Sequence, residues 1–332
     1  MSMSAGADQR KMPIPPGRVD YLIATAARAP SVHNTQPWRF RVTPDALELY
    51  ADPARKLRVD PLGREMLISC GAALFGLRLG IRSLGFMPVV ELLPDKARLA
   101  LLARVSLGEA QPLNGSERQL LEALPHRHTH RGPFTSEPLP AGLLASLQHD
   151  AIAEAATLAL VDRGRGYEPL TDIMAAAGRR LDLVPQARAD MRDWTRGPGS
   201  GARDGVPASA FAAEADQHRG RLPQRDFDLG RHLGQLAAEG TAPAATALIL
   251  TPGDSRGDWL CAGQALHRVL VRAAARWVFA SLHTQPLEAS KIRILIRDRL
   301  ELPGAPQVIL QLGCARTTRA TARRPPSEVT DF

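Results

Sequence analysis

The sequence predicts an α+β fold in two fused, related halves, with a long irregular segment in the second half. Helical patterns and short apolar strand patterns alternate along the 332 residues. Residues 71–79 match residues 263–271, at an offset of 192, in a glycine, an alanine and branched apolar positions. Residues from about 185 to 225 follow neither pattern. A duplicated domain explains the match, although two Ala/Leu-rich helices also resemble each other by chance.

The first half begins with a helix predicted over residues 15–28, which ends before Pro30 because proline disfavours a helical residue ahead of it. A loop leads to two strands, 38–43 and 47–51, around Pro44 and Asp45. Residues 63–86 carry apolar side chains at spacings typical of a helix buried along one side. Strands at 89–93 and 99–107 complete this half.

The second half begins after a turn-rich linker at 108–115. Ser116 is the predicted cap of a first helix, and Trp277 is expected on the apolar face of a later one. The predicted helices are 116–124, 143–149, 228–239, 259–279 and 288–300, and the predicted strands are 157–161, 244–250 and 308–312. Residues 1–110 and 116–332 are therefore the two expected domains, with a lid-like segment at about 185–225.

Composition narrows the class of protein. With 44% hydrophobic and 23% charged residues the chain can bury a core, which excludes a disordered protein. The net charge of +8 allows nucleic acid, phosphorylated ligands or acidic surfaces as partners. Aromatic residues form only 5% of the chain and are not interleaved with basic ones, which disfavours nucleic acid.

Three separated cysteines, Cys70, Cys261 and Cys314, indicate neither a disulfide framework nor a cysteine-based zinc site. The first twenty residues contain no apolar signal-peptide region, and no run approaches the ~18 apolar residues of a membrane span. A cytoplasmic protein without a membrane partner is expected.

The loop after the first helix, A-P-S-V-H-N-T-Q-P-W-R-F at residues 29–40, concentrates groups that can pair with a flat polar heterocycle. A helix stop followed by a strand is the alternative. The string closely resembles the A-P-S-x-x-N-x-Q-P-W-x-F stretch of the nitroreductase superfamily, FMN-binding oxidoreductases in which this loop belongs to the flavin pocket. The resemblance implies that FMN is bound by Pro30, Ser31, Val32, Asn34 and Gln36.

The resemblance covers nearly the whole chain. Residues 60–74, D-P-L-G-R-E-M-L-I-S-C-G-A-A-L, are similar to the first half of the Acg-type branch, whose members are fused, two-repeat versions of the nitroreductase dimer. It implies a nitroreductase-like α+β fold with a mixed, largely antiparallel sheet in each repeat. The two repeats are expected to form an intramolecular pseudo-dimer, and hence a monomer in solution.

A second element, R-H-T-H-R at residues 127–131, alternates arginines with a hydroxyl and offers two guanidinium groups to a phosphate. A solvated basic loop is the alternative. The element resembles the R-x-[ST]-x-R-x-F stretch that holds the FMN phosphate in ordinary nitroreductases, which implies this role for Arg127 and Thr129 and places Arg131 near the reduced flavin. The interleaved His126, His128 and His130 do not predict a metal site, because the arginines between them repel a cation.

Further FMN contacts follow from the resemblance. Residues 286–288 are similar to the P-[IL]-E-G turn whose backbone faces flavin N5, although Ala289 replaces the glycine. The basic pair near the C-terminus resembles residues that reach the phosphate. The implied contacts are Pro286, Leu287, Glu288, Arg323 and Arg324. Because the first half has the loop and the second has the phosphate element, we expect one FMN site per chain.

Two functions fit these features. One is an oxidoreductase in which NAD(P)H reduces FMN and a small-molecule acceptor then takes the electrons. The alternative is a catalytically weak protein that binds or sequesters FMN beneath the lid-like segment. The sequence identifies no side chain that must donate a proton.

Overall fold

The computed structural model describes residues 12–181, 183–211, 222, 225–233, 244–315 and 320–331. Its helices are α1 (Val19–Ala27), α2 (Arg64–Ser83), α3 (Gly115–Ala123), α4 (Leu143–Ile152), α5 (Tyr167–Leu181), α6 (Pro185–Asp193), α7 (Arg256–Ala274), α8 (Ser290–Arg299) and α9 (Pro326–Val329). Its strands are β1 (Trp38–Val42), β2 (Leu47–Ala51), β3 (Phe86–Leu92), β4 (Leu101–Ala110), β5 (Thr157–Leu160), β6 (Thr195–Arg196), β7 (Val206–Pro207), β8 (Ala245–Thr251), β9 (Val278–Leu282), β10 (Ala305–Cys314) and β11 (Thr330–Asp331).

The chain forms two main sheets, and apart from β11 their four strands follow the same spatial order, with the first strand along the chain beside the second, the second beside the fourth and the fourth beside the third. The first has the order β11-β1-β2-β4-β3 and the second the order β5-β8-β10-β9. The pairs β1·β2, β2·β4 and β3·β4 are antiparallel, as are β5·β8, β8·β10 and β9·β10. Each set of four strands is preceded by a helix, α1 or α4, and interrupted by a long one, α2 or α7.

Helices α2 and α7 cross at very short distance, because glycines stand at the contact. A Cβ atom on Gly263 would overlap the carbonyl oxygen of Ile68, and one on Gly71 would overlap that of Leu260. Apolar residues of both helices and both sheets form one continuous core. Helix α2 is long and apolar enough to cross a membrane, but it is buried in this core.

The end of the chain returns to the first sheet. Strand β11 lies parallel to β1, with Thr330 opposite Phe40 and Asp331 opposite Arg41. The tail thus passes from the second sheet to the first and lies beside the loop at residues 30–37. Two further short strands, β6 and β7, pair with each other in the segment between α6 and residue 211.

Several sequence predictions are wrong in detail. Helix α7 ends at Ala274, and β9 follows, so Trp277 is 63% exposed in a turn instead of lying on a helix face. An apolar run such as 278–282 suits a buried strand as well as a helix. Asn114, not Ser116, caps α3, because its side chain and that of Glu117 form a reciprocal capping box.

Other elements were missed or misplaced in the second half. Helix α5 was not predicted, and residues 185–193 of the expected irregular segment form α6. Residues 228–233 form turns and not the start of a helix, because the Asp228 carboxylate accepts from the backbone N–H groups of His232 and Leu233. The remainder of that predicted helix, 234–239, lies outside the described residues.

We expect Gly263→Ala to destabilise the fold by several kcal/mol, on the order of 3, because α2 and α7 must separate to admit the methyl group. Gly257→Ala is the matched control on the same helix. Its Cβ would meet only the Ser255 hydroxyl, at 3.7 Å. Urea unfolding of the two variants measures the difference, and equal stabilities would contradict the importance of the crossing.

Candidate functional site

A pocket lies where the loop after α1, the first turns of α2 and the end of β9 meet. Residues 129–131 form one wall, because Thr129 pairs with Ala280 at the edge of β9 and His130 N–H donates to the Ala280 carbonyl at 2.9 Å. The lining residues include Pro30, Ser31, Val32, His33, Glu65, Ile68, Ser69, Thr129, His130, Arg131, Phe211, Arg225, Phe227, Leu266, Ser281, Thr284 and Val308.

The loop at residues 30–37 has an unusual backbone. His33, Asn34 and Gln36 all have positive φ angles, between 47° and 55°, which side-chain-bearing residues adopt only under constraint. Inside the loop the Ser31 hydroxyl accepts from Gln36 N–H at 3.0 Å. The Ser69 hydroxyl accepts from Val32 N–H at 3.2 Å and so connects the loop to α2.

The amides of Asn34 and Gln36 bind other parts of the chain and do not line the pocket. Asn34 donates to the carbonyl of Gly205 at 3.0 Å and accepts from the Arg323 guanidinium at 3.0 Å. Gln36 donates to the carbonyl of Arg203 at 2.7 Å and accepts from Arg324 N–H at 2.8 Å. These bonds fix the loop between the segment 203–205 and the C-terminal tail.

A group of three arginines, the buried Arg127 and the half-buried Arg131 and Arg323, lies beside the pocket. Arg127 is 3% exposed and donates one hydrogen bond, to the Arg28 carbonyl at 3.0 Å. Among the described residues neither its Nε nor its Nη1 has a partner, and the same holds for Arg323 Nε. Burial and the neighbouring arginines lower the pKa of Arg127 to about 9 and those of Arg131 and Arg323 to about 10. Such a cluster is arranged to bind an anion.

Arg225 joins the loop at residues 30–37 to the 3-10 turn at residues 285–288. Its guanidinium bonds His33 Nε2 and the Glu288 carboxylate, both at 2.5 Å. Burial and the adjacent Arg225 and Arg131 lower the pKa of His33 well below its ordinary value, so the imidazole is neutral and accepts at Nε2. The Arg131 guanidinium lies 5.5 Å from the centre of the Phe227 ring.

The other residues predicted to contact FMN, Pro286, Leu287, Glu288 and Arg324, are not among the residues that line the pocket. Pro286 and Leu287 form a buried 3-10 turn with Glu288, which reaches the pocket only through Arg225. The Arg324 side chain is bound to Glu328 and does not belong to the group of Arg127, Arg131 and Arg323. The ring centres of His126 and Trp277 are 5.3 Å apart, and those of His130 and Phe134 are 4.9 Å apart. Within the described ranges, no group of three His, Cys, Asp or Glu side chains is placed to hold a metal ion.

Comparison with known proteins identifies the family. The model of the nitroreductase family matches residues 10–64. A Mycobacterium tuberculosis (H37Rv) protein provisionally named NAD(P)H nitroreductase Rv3131 is 32% identical over 94% of this chain and 90% of its own length. The chain belongs to the nitroreductase family. The M. tuberculosis Acg protein, also provisionally named an NAD(P)H nitroreductase, is 26% identical over 92% of this chain and 93% of its own.

Solved structures of other nitroreductases resemble this family member more distantly. One is a nitroreductase with bound FMN from Desulfitobacterium hafniense DCB-2. It is 14% identical, with a TM-score of 0.41, over 64% of this chain and 98% of its own.

Several lining residues of this nitroreductase-family pocket are not predicted by the sequence. Glu65 could have been found, because a carboxylate three residues before Ile68 lies on the apolar face of α2, and a carboxylate at a buried position indicates a special role. Phe211 and Arg225 fall in the segment predicted as a lid, and Phe227 lies just after it, but no periodicity singles out any of the three. Only the folded chain places them at the pocket.

We expect Gln36→Ala to lower the free energy of unfolding by about 2–3 kcal/mol, because it leaves the buried N–H of Arg324 and the carbonyl of Arg203 without a partner. Gln119→Ala, in an exposed position on α3, is the control and should have a negligible effect. Thermal and urea unfolding measure both variants. An unaffected Gln36→Ala protein would show that the tail does not depend on the loop.

Proposed function

We propose that this nitroreductase-family protein is an FMN-dependent oxidoreductase that takes electrons from NAD(P)H and passes them to a small-molecule acceptor. The observation that carries the proposal is the cation cluster of Arg127, Arg131 and Arg323 beside the pocket. Among the described residues no carboxylate pairs with these three guanidinium groups. Buried charges without counter-charges are costly, and a ligand phosphate would balance them.

The residues present fit FMN. Arg127 and Arg323, with free guanidinium nitrogens, and the Thr129 hydroxyl would hold the phosphate. The pocket walls at Pro30, Val32, Ile68, Leu266 and Val308 would pack against the ring system. When bound, FMN supplies the capacity to accept a hydride from a nicotinamide and to pass electrons on. The chain itself supplies position, charge and exclusion of water.

We propose one FMN per chain. Ten residues, 28–37, connect α1 to β1, whereas only four, 153–156, connect α4 to β5. The second half therefore has no room for a loop like 30–37. The equal strand order of the two sheets supports two repeats, 1–110 and 116–332, packed as an intramolecular pseudo-dimer. We accordingly infer a cytoplasmic monomer.

A second candidate function is FMN storage with little turnover. It is favoured by Phe211 and Arg225, which belong to the segment predicted as a lid and line the pocket together with the nearby Phe227. Asp204 of the same segment is fixed by ion pairs of 3.0 Å with Arg55 and 2.8 Å with Arg196. A segment held in this way restricts entry of a nicotinamide.

The visible spectrum, followed under anaerobic conditions, tests the function. We expect flavin absorption in the purified protein and its bleaching by NADPH or NADH. Bleaching by dithionite alone would favour storage over turnover. A protein without flavin peaks that also fails to bind added FMN would overturn both candidates.

Arg127→Met should weaken FMN binding by about 10- to 100-fold, since a hydrogen bond between charged groups contributes about 1.5–3 kcal/mol. Riboflavin, which lacks the phosphate, should bind both proteins equally. Arg118→Met removes an exposed arginine and controls for net charge. Fluorescence titration measures all three proteins, and equal losses for FMN and riboflavin would contradict the phosphate role.

A further inference from the structure

Glu65 is a carboxyl group in the pocket wall that the proposed function does not yet use. It lies in the first turn of α2 and is 4% exposed. Neither carboxyl oxygen has a hydrogen-bond partner among the described residues. Its nearest cation among the described residues, Arg64 Nη1, is 4.0 Å away, and Arg64 itself donates to Gln307 of β10 at 2.9 Å.

Glu65 is not needed to cap the start of α2, because Asp60 does so. The Asp60 carboxylate accepts from the N–H groups of Arg64, at 2.7 Å, and Met66, at 3.1 Å. Asp60 thus caps the helix, although it is not the residue adjacent to it. Glu65 is left as a second acidic group whose side chain faces the pocket.

The charges around Glu65 favour its neutral form. Arg64 of α2 and Asp60, just before α2, are two of the charged groups near Glu65. The other two are Glu288 of the 3-10 turn at 285–288 and Arg225 of the segment 225–233. Arg225 is bound to Glu288 and to the neutral His33 of the loop. Glu65 and Glu288 therefore both lie near Arg225, and Arg225 is hydrogen-bonded to Glu288.

Burial and the negative charge of Glu288 raise the pKa of Glu65 to about 8. Arg225 and Arg64 oppose this shift, but both are bound to other groups. At neutral pH Glu65 is a carboxylic acid with an O–H donor inside the pocket.

We propose that Glu65 is the proton donor to the acceptor substrate. This rests on the proposed function, in which the reduced nicotinamide is oxidised and its hydride equivalent, two electrons and one hydrogen, reaches the acceptor. The O–H bond of Glu65 breaks, its proton goes to the acceptor oxygen or nitrogen, and the carboxylate regains a proton from water.

The first test follows the carboxyl itself and needs no turnover. Glutamate labelled with ¹³C at the side-chain carboxyl is observed by NMR as pH is raised, in the full-length protein and in Glu65→Gln. We expect one signal that stays in the protonated position at pH 7 and disappears in Glu65→Gln. Glu48→Gln, which removes a buried carboxyl on β2, should leave that signal unchanged. A Glu65 signal already ionised at pH 6 overturns the proposal.

The second test separates proton transfer from electron transfer. FMN-loaded protein is reduced with dithionite and mixed with either menadione, a quinone that needs protons, or ferricyanide, which takes electrons only. For Glu65→Gln we expect the ratio of the menadione rate to the ferricyanide rate to fall about 100-fold. Glu65→Asp should restore part of it, whereas Glu48→Gln should not change it.

The outcomes distinguish this proposal from the function on which it rests. An unchanged ratio in Glu65→Gln that still binds and releases electrons from FMN overturns the role of Glu65 alone. Failure of the unmodified protein to bind FMN overturns the proposed function and this role together. A ratio that falls equally in Glu48→Gln shows a general loss of structure and also counts against Glu65.

Discussion

The close crossing of α2 and α7 is the contact on which the rest of the molecule depends. Glycine at positions 71 and 263 lets the backbone of each helix touch the other, so the two sheets share one core. The same approach brings the first turns of α2, with Glu65 and Ser69, beside Leu266 of α7. The pocket is therefore a consequence of how the halves pack, and neither half contains all of it.

Charge is distributed unequally around this pocket. Arg127, Arg131 and Arg323 lie together without carboxylate partners among the described residues, whereas Glu65 and Glu288 compete for Arg225. Both arrangements cost folding energy, since buried charges lose hydration. Such costs are typical of binding sites, where a ligand later supplies the missing partner. The three arginines fit an anion, and burial raises the pKa of both Glu65 and Glu288.

The sequence was sufficient for features that depend on local pattern or on composition. The buried helix at residues 63–86, the strand at 47–51 and the offset of 192 agree with α2, β2 and the position of α7. Patterns failed where two structures suit the same residues, as at 278–282. Helix α5 was missed although its pattern is present, because its buried residues Leu170, Met174 and Ala177 stand at helical spacing.

The site residues show the same difference between what a local stretch of sequence predicts and what only the folded chain brings together. Pro30, Ser31, Val32, Thr129 and Arg131 line the pocket, and each was expected from a contiguous stretch of sequence. Asn34 and Gln36 were expected to contact the ligand, but their amides bind the segment 203–205 and the tail 322–324. A polar side chain in a loop has the same appearance in sequence whether it contacts a ligand or holds the loop. The three positive φ angles mark a strained loop, which these bonds hold in place, and the contact of Asn34 and Gln36 with FMN stays a prediction.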